Sequence, residues 1–295
     1  MVQKKLLMIV NPTAGRSKPR GPLFDAAALF SQAGYLLSIR QTESPGDAIK
    51  IAAECGEDTD VVVAVGGDGT LNQTISGLMS LEQRPLLGYL PRGSTNDFAA
   101  SLHISSDPAA AADQILHGQR RALDIGRWNE RYFVYVASFG AFTRSSYTAP
   151  QAAKNALGHL AYILEGMKDL NSLRPYQIRL TADGEVLDGS YLFGAVCNST
   201  SIGGLMKLDP ERVVLDDGKF EMLLVTSPKT AADLQNLVLA LLNQQYDSQG
   251  LVFRHVSSLR LETEEELPWS LDGEYAPSVP VVDIVNRQRA LRMLL

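Results

Sequence analysis

The chain has 295 residues, 45% of them apolar and 20% charged, with a formal net charge of −6. That length exceeds one ordinary domain and supplies a substantial core. The acidic balance excludes a general attraction to nucleic acid or anionic lipid, so any membrane contact must be local, or apolar rather than electrostatic.

Two cysteines, Cys55 and Cys197, suit a reducing cytoplasm, and neither they nor the four histidines have zinc-ligand spacing. Lys4-Lys5 before Leu6–Val10 imitates a signal peptide, but the apolar run is too short and Asn11-Pro12 ends it, so it reads as a buried first strand. Pro22–Gly34 reads as a helix, Tyr35–Gln41 as a strand, and Asp47–Cys55 as a helix after the turn Ser44-Pro45-Gly46. Val61–Val65 is continuously apolar, as in a strand covered on both faces. A helix over Leu71–Met79, a strand over Leu86–Leu90 and a helix over Asp107–His117 follow. This alternation predicts an α/β domain with a parallel sheet.

The pattern changes near Leu123. Arg131–Ser138, Gln177–Ala182, Ser190–Cys197, Phe220–Thr226 and His255–Glu262 read as strands, with hairpin signals at Asp183-Gly184 and Asp217-Gly218. Helices are expected over Ala153–Asn171 and Lys229–Gln245. The second domain is therefore β-rich and sandwich-like. The expected division is 1–127 and 128–280, with 281–295 returning to the first domain. No apolar stretch approaches the roughly 18–20 residues of a membrane span.

The strongest local signal is VVVAVGGDGT at 61–70. A buried strand enters a turn with three glycines, and a helix follows. Glycine permits positive φ and close backbone approach, successive N–H groups cradle an anion, and the helix aims its positive end there. The Asp68 carboxylate would repel phosphate unless a cation such as Mg²⁺ offsets it. The turn is neither a dinucleotide fingerprint nor a Walker loop. The loops Asn11–Gly15 and Pro91–Asp97 leave strands at the same carboxyl edge, where open α/β sheets bind ligands.

NPTAG at 11–15, GGDGTLN at 66–72, GSTNDFA at 93–99, LDDGKFE at 215–221 and DGE at 272–274 together resemble the bacterial diacylglycerol kinase-type lipid kinases, relatives of the sphingosine kinases. The resemblance implies an α/β nucleotide domain, a β-rich lipid domain and an active site in the cleft between them. It implies ATP contacts from Asn11, Pro12, Thr13, Ala14, Gly15, Thr42, Gly66, Gly67, Asp68, Gly69, Thr70, Leu71, Asn72, Ser94 and Asp97. Asp68 and Asp97 would serve the Mg²⁺–nucleotide complex. A structural Mg²⁺ would take the Asp217 side chain and the carbonyls of Val214 and Lys219. Asp272 and Glu274 would activate the lipid hydroxyl; in an extended segment, positions two apart share a face and both carboxylates could reach it. Ser94 and Gln73 stand where the family commonly has threonine and glutamate.

The function expected is ATP-dependent phosphorylation of a lipid alcohol, diacylglycerol by family default, in a cytoplasmic protein with transient contact at the inner membrane face. The oligomeric state is open, a homodimer being one option. Other kinases with the GGDG turn, such as NAD kinase, and a non-catalytic nucleotide-binding regulator are the alternatives. Arg16, Lys18 and Arg20 could steer phosphate or form a solvated loop. Ala231–Leu242 has the spacing of a helix packed on the core, with membrane docking as its other reading.

Overall fold

The computed structural model describes residues 3–14, 21–94, 96–140, 174–202 and 206–295. The helix expected over Ala153–Asn171 lies outside the described residues, as do Gly15, Arg16, Lys18 and Arg20. The chain divides into two units, Met1–Leu123 with Arg289–Leu295, and Asp124–Gln288.

The first unit alternates β1 (Lys5–Val10), α1 (Gly21–Gln32), β2 (Leu36–Gln41), α2 (Asp47–Cys55), β3 (Val61–Gly66), α3 (Asp68–Leu78) and β4 (Leu86–Pro91), then adds α4 (Asp97–Ser101) and α5 (Pro108–His117). β1 pairs in parallel with β2 and β3, and β3 with β4. Every residue of β3 is buried, as its unbroken apolar run requires of a strand covered on both faces. Leu6, Met8, Val61, Val63 and Val65 share a core with Phe30 of α1 and Ala111, Ala112 and Ile115 of α5. Because the strands are parallel and in register, with Val10 opposite Val65 and Gly66 opposite Pro91, β1, β3 and β4 release their loops at one edge.

The second unit is built from antiparallel strands. β5 (Arg120–Trp128) leads into β6 (Arg131–Phe133), β7 (Val136–Gly140), β8 (Tyr176–Ala182) and β9 (Glu185–Cys197). A small ladder, β10 (Ser201–Ile202) with β11 (Met206–Lys207), precedes β12 (Phe220–Thr226), α6 (Ala231–Leu242), β13 (Leu251–Val256), β14 (Ser258–Glu262), β15 (Trp269–Leu271), β16 (Glu274–Ala276) and β17 (Val281–Leu294). β9 pairs with β8 along its first half, and with β7 and β12 along its second. Trp269 sits at the heart of this core, edge-on to Trp128 at 6.1 Å and to Phe139 at 4.9 Å. β17 serves both units: Val281–Val285 pairs with β14, and Met293 pairs in parallel with Leu87 of β4.

Three expectations for this half change. The strand expected over Arg131–Ser138 breaks into β6 and β7, and that over His255–Glu262 breaks at Ser257. Both breaks have one cause. Asp183-Gly184 and Asp272-Gly273 are two-residue hairpin turns with φ of 45°, 91°, 49° and 85°, the positive pair that such turns favour. Each aspartate's carboxylate accepts backbone N–H groups from the break: Ser257 and Ser258 for Asp183, and Val134, Tyr135 and Val136 for Asp272. Asp217-Gly218, by contrast, is no hairpin; it lies in the loop before β12, whose partners are β9 and β13. Among the described residues no helix is long and apolar enough to cross a membrane.

Candidate active site

Only Gly67 separates β3 from α3, which begins at Asp68 rather than at the expected Leu71. Asp68, Gly69 and Thr70 thus form the first helical turn, whose N–H groups have no intrahelical acceptor. Leu71 is already inside the helix: its N–H donates to the Gly67 carbonyl at 3.1 Å and its side chain is buried. The glycines here serve close approach and not positive φ, since Gly66, Gly67, Gly69 and Gly93 all lie outside the left-handed region. A Cβ on Gly66 would sit 2.3 Å from the Thr70 hydroxyl, and one on Gly93 would sit 2.6 Å from the Gly67 Cα.

Side chains lace the three loops together. Asn11 Nδ2 donates to the Thr70 hydroxyl at 3.2 Å, and Asn11 Oδ1 accepts from the Thr13 N–H and hydroxyl at 2.9 and 2.8 Å. Arg92 N–H donates to the Gly66 carbonyl at 2.6 Å, which the Tyr89 hydroxyl also reaches at 3.3 Å. Asn96, at φ 53°, closes the second glycine loop by accepting from Gly93 N–H at 2.8 Å and donating to its carbonyl at 3.0 Å. Sequence reasoning placed Arg92 and Asn96 in a loop expected at this edge but gave them no role, and it left Tyr89 out of the site. Asn96 stood inside a quoted motif; Tyr89 looks like any core aromatic of a strand. Thr42 and Gln73 belong to the frame: Thr42 N–H donates to Val10 at 2.9 Å, and Gln73 Oε1 accepts from Gly46 N–H at 3.2 Å, a bond a glutamate could equally make. Thr13 and Ser94 are exposed at the rim, while Pro12, Ala14 and Asn72 are half-buried. Gly93→Ala should force the two glycine loops apart and weaken nucleotide binding at least tenfold, read by titration calorimetry; unchanged affinity would mean the loops are not a cradle.

The electrostatics of the turn are unbalanced. Asp68 Oδ2 accepts from Asp97 N–H at 3.2 Å, but Oδ1 is buried with no hydrogen-bond partner. Burial, then the nearby Asp97 charge, push the Asp68 carboxyl up to about 6, and burial raises Asp97 as well. Two desolvated carboxylates beside free helical N–H groups suit a bound cation with an anion, the composition of a metal–phosphate complex.

In the second unit, Asp272 and Glu274 do not share a face. The segment is a hairpin turn, not extended: Asp272 is 4% exposed and Glu274 is open to solvent. Asp272 Oδ2 accepts from Val134 N–H at 2.6 Å, and Oδ1 from Tyr135 and Val136 N–H at 3.0 Å each. A second acidic cluster surrounds Asp124, fully buried, whose Oδ2 accepts from Gly218 N–H at 2.7 Å and Asn286 Nδ2 at 3.1 Å. Asn198 Nδ2 donates to the Asp124 carbonyl at 2.9 Å. Around it, Asn198 Oδ1, Asn286 Oδ1 and Glu221 Oε2 are buried without partners. Burial raises Glu221 to about 8, with the Asp217 and Asp124 charges adding to it. Asp217 itself is exposed, and its Oδ1 accepts from Lys219 N–H at 2.9 Å. Among the described residues, no three His, Cys, Asp or Glu side chains are grouped to hold a metal by themselves. The surplus of hard oxygen acceptors nevertheless fits Mg²⁺, which takes carbonyls and water alongside one or two carboxylates.

A family model described as diacylglycerol kinase catalytic domain matches residues 5–128, and one described as YegS C-terminal NAD kinase beta sandwich-like domain matches residues 136–295. The chain is 35% identical over 294 residues to a diacylglycerol kinase of Bacillus subtilis (strain 168), spanning 99% of this chain and 96% of that one. It is 32% identical over 289 residues to a diacylglycerol kinase of Staphylococcus aureus (strain bovine RF122 / ET3-1), spanning 98% and 91%. A crystal structure of a diacylglycerol kinase from Bacillus anthracis str. Sterne superposes with a TM-score of 0.81 at 26% identity, over 100% of this chain and 98% of that one. A second structure from that organism gives 0.83 at 28%, over 99% and 97%.

Proposed function

Since the chain belongs to the diacylglycerol kinase family and is a kinase of the lipid-kinase type, we propose that it transfers the γ-phosphate of ATP to the hydroxyl of a diacylglycerol. The observation that carries this reading is Asp68: a carboxylate with a sealed, unpartnered oxygen at the first turn of a glycine-flanked helix. Phosphoryl transfer is chiefly positioning and charge neutralisation. The N–H groups of Asp68, Gly69 and Thr70 receive phosphate oxygens, and the Asn11–Thr70 and Asn96–Gly93 bonds hold the cradle in shape. Asp68 and Asp97 hold the Mg²⁺ of the nucleotide complex, which supplies charge neutralisation on the phosphate oxygens. Asp272 and Glu274 serve the acceptor hydroxyl: Asp272 fixes the turn, and Glu274, open to solvent, accepts the hydroxyl's hydrogen bond and its proton.

The test is a labelled-ATP reaction against diacylglycerol, phosphatidylglycerol, an undecaprenol-like alcohol, a sphingoid base and NAD. Label in phosphatidic acid supports the proposal; label in NAD, or in none of them, overturns it.

The cluster around Asp124 is proposed as a second Mg²⁺ site, using Asp217 and the carbonyls of Val214 and Lys219. Adding Mg²⁺ without nucleotide should raise the melting temperature, about 2.7 kcal/mol of stabilisation at a hundredfold excess over Kd. Asp217→Ala should erase that rise, whereas an equal rise in the variant would remove Asp217 from the site.

A further inference from the structure

Helix α6 carries an uncharged apolar face that the second unit leaves uncovered. Leu237, Val238 and Ala240 are buried, whereas Leu239 and Leu242 on the opposite side are 48% and 40% exposed. From Leu234 to Tyr246 the chain has no charged side chain, in a protein in which 20% of residues are charged. The preceding acid, Asp233, is committed to the helix cap, accepting from Lys229 and Thr230 N–H at 3.1 and 2.9 Å. Just past the helix, Tyr246 stacks on Phe253 at 4.7 Å, the Arg212 guanidinium lies 5.6 Å from the Tyr246 ring, and His255 Nε2 meets the Arg212 carbonyl at 2.9 Å. Arg212 is exposed, and besides that ring it meets Asp209 at 3.9 Å, a surface pair that exchanges readily for other anions.

The face is too small for a second protein. A 12-residue helix is about 18 Å long, and two half-exposed leucines fall far short of the roughly 800 Å² per partner of a stable complex. A bilayer surface requires no matching patch. Its acyl boundary receives leucine, its headgroup layer solvates the uncharged Gln235, Asn236 and Asn243, and its phosphates complement the Arg212 guanidinium.

We propose that the Leu239–Leu242 face of α6 docks shallowly on a phospholipid bilayer, with Arg212 at the headgroups. Its purpose rests on the lipid-kinase reading; its test does not. The full chain is sedimented with sucrose-loaded vesicles of phosphatidylcholine, and of phosphatidylcholine with phosphatidylglycerol. The wild type should sediment with both, and Leu239→Glu/Leu242→Glu should lose at least tenfold in partitioning on both. Leu239→Trp gives a second reading that spares the fold. The emission of the introduced indole should shift to the blue on vesicle addition, against the constant signal of buried Trp128 and Trp269. A double variant that partitions like the wild type, a wild type that stays in the supernatant, or an indole emission from position 239 that does not move would overturn the proposal. So would a wild-type dimer that the double substitution dissociates in the analytical ultracentrifuge, since the face would then meet a second copy. Normal docking with no lipid phosphorylated would uphold the face and overturn the kinase reading alone.

Discussion

Replacing Asp68 with asparagine should make the ligand-free protein more stable above pH 6 while slowing phosphotransfer at least a hundredfold. Burial, then the nearby Asp97 charge, push the Asp68 carboxyl up to about 6 in the folded chain, against an ordinary 3.8. Between those values the folded state still holds a proton that the unfolded state has released, so stability falls as pH rises through this window. The cost is complete above about pH 6, and a shift of two pH units is worth about 3 kcal/mol. Asparagine keeps the acceptor for Asp97 N–H but cannot ionise. Wild type and Asp68→Asn should therefore unfold alike near pH 4, and the variant should be more stable by about 3 kcal/mol at pH 8. Turnover should drop by roughly 10²–10³ or more, since a preorganised charge that stabilises the transition state is lost. Denaturation at the two pH values and a kinase assay test both halves. Equal stability at pH 8 would mean that the buried oxygen is not strained, and normal turnover would take Asp68 out of the chemistry.

Asp272→Ala should be crippled first by folding. The variant strands three N–H donors on Val134, Tyr135 and Val136, residues 1%, 4% and 3% exposed. Each unsatisfied donor costs about 1–3 kcal/mol, and alanine at φ 49° adds about 1 kcal/mol more. The sum, about 4 kcal/mol or above, rivals the whole stability of many domains. Loss of activity in this variant therefore says nothing about catalysis. Asp272→Asn keeps an acceptor for two of the donors and tolerates the backbone, and Glu274→Gln disturbs no buried partner. Both should stay folded; Glu274→Gln should lose about 10²–10⁴ in turnover as a missing proton acceptor, and Asp272→Asn should lose less, through loosening of the turn that positions Glu274. Normal turnover in both, with Asp272→Ala unfolded, would make the turn purely structural.

The first unit was largely legible because its signals are local. Val61–Val65 is apolar throughout and proves buried throughout; Asp47–Cys55 proves to be the helix expected. The GGDG turn was legible as a turn but not in its mechanics. Its glycines answer to a neighbouring loop, Gly67 against Gly93, which no local pattern encodes. The second unit was harder for the same reason. Asp272 breaks a strand 136–138 residues away by taking its N–H groups, so Arg131–Ser138 reads as one strand until that partner is in place. Tyr89 and Asp124 carried no signal, since each acts through bonds to distant backbone.

The two-unit division has a consequence for biosynthesis. The first unit is discontinuous: Arg289–Leu295 completes it after the entire second unit has been made. In its last stretch, Leu295 exchanges backbone hydrogen bonds with Gln119 at 2.7 and 3.0 Å, and Met293 flanks Leu87. During translation the first unit must therefore wait, one strand short at its β4 edge, until the ribosome has delivered residue 289 and beyond. Nascent chains stalled before that point should remain sensitive to protease in β4, however well their β-rich portion has folded.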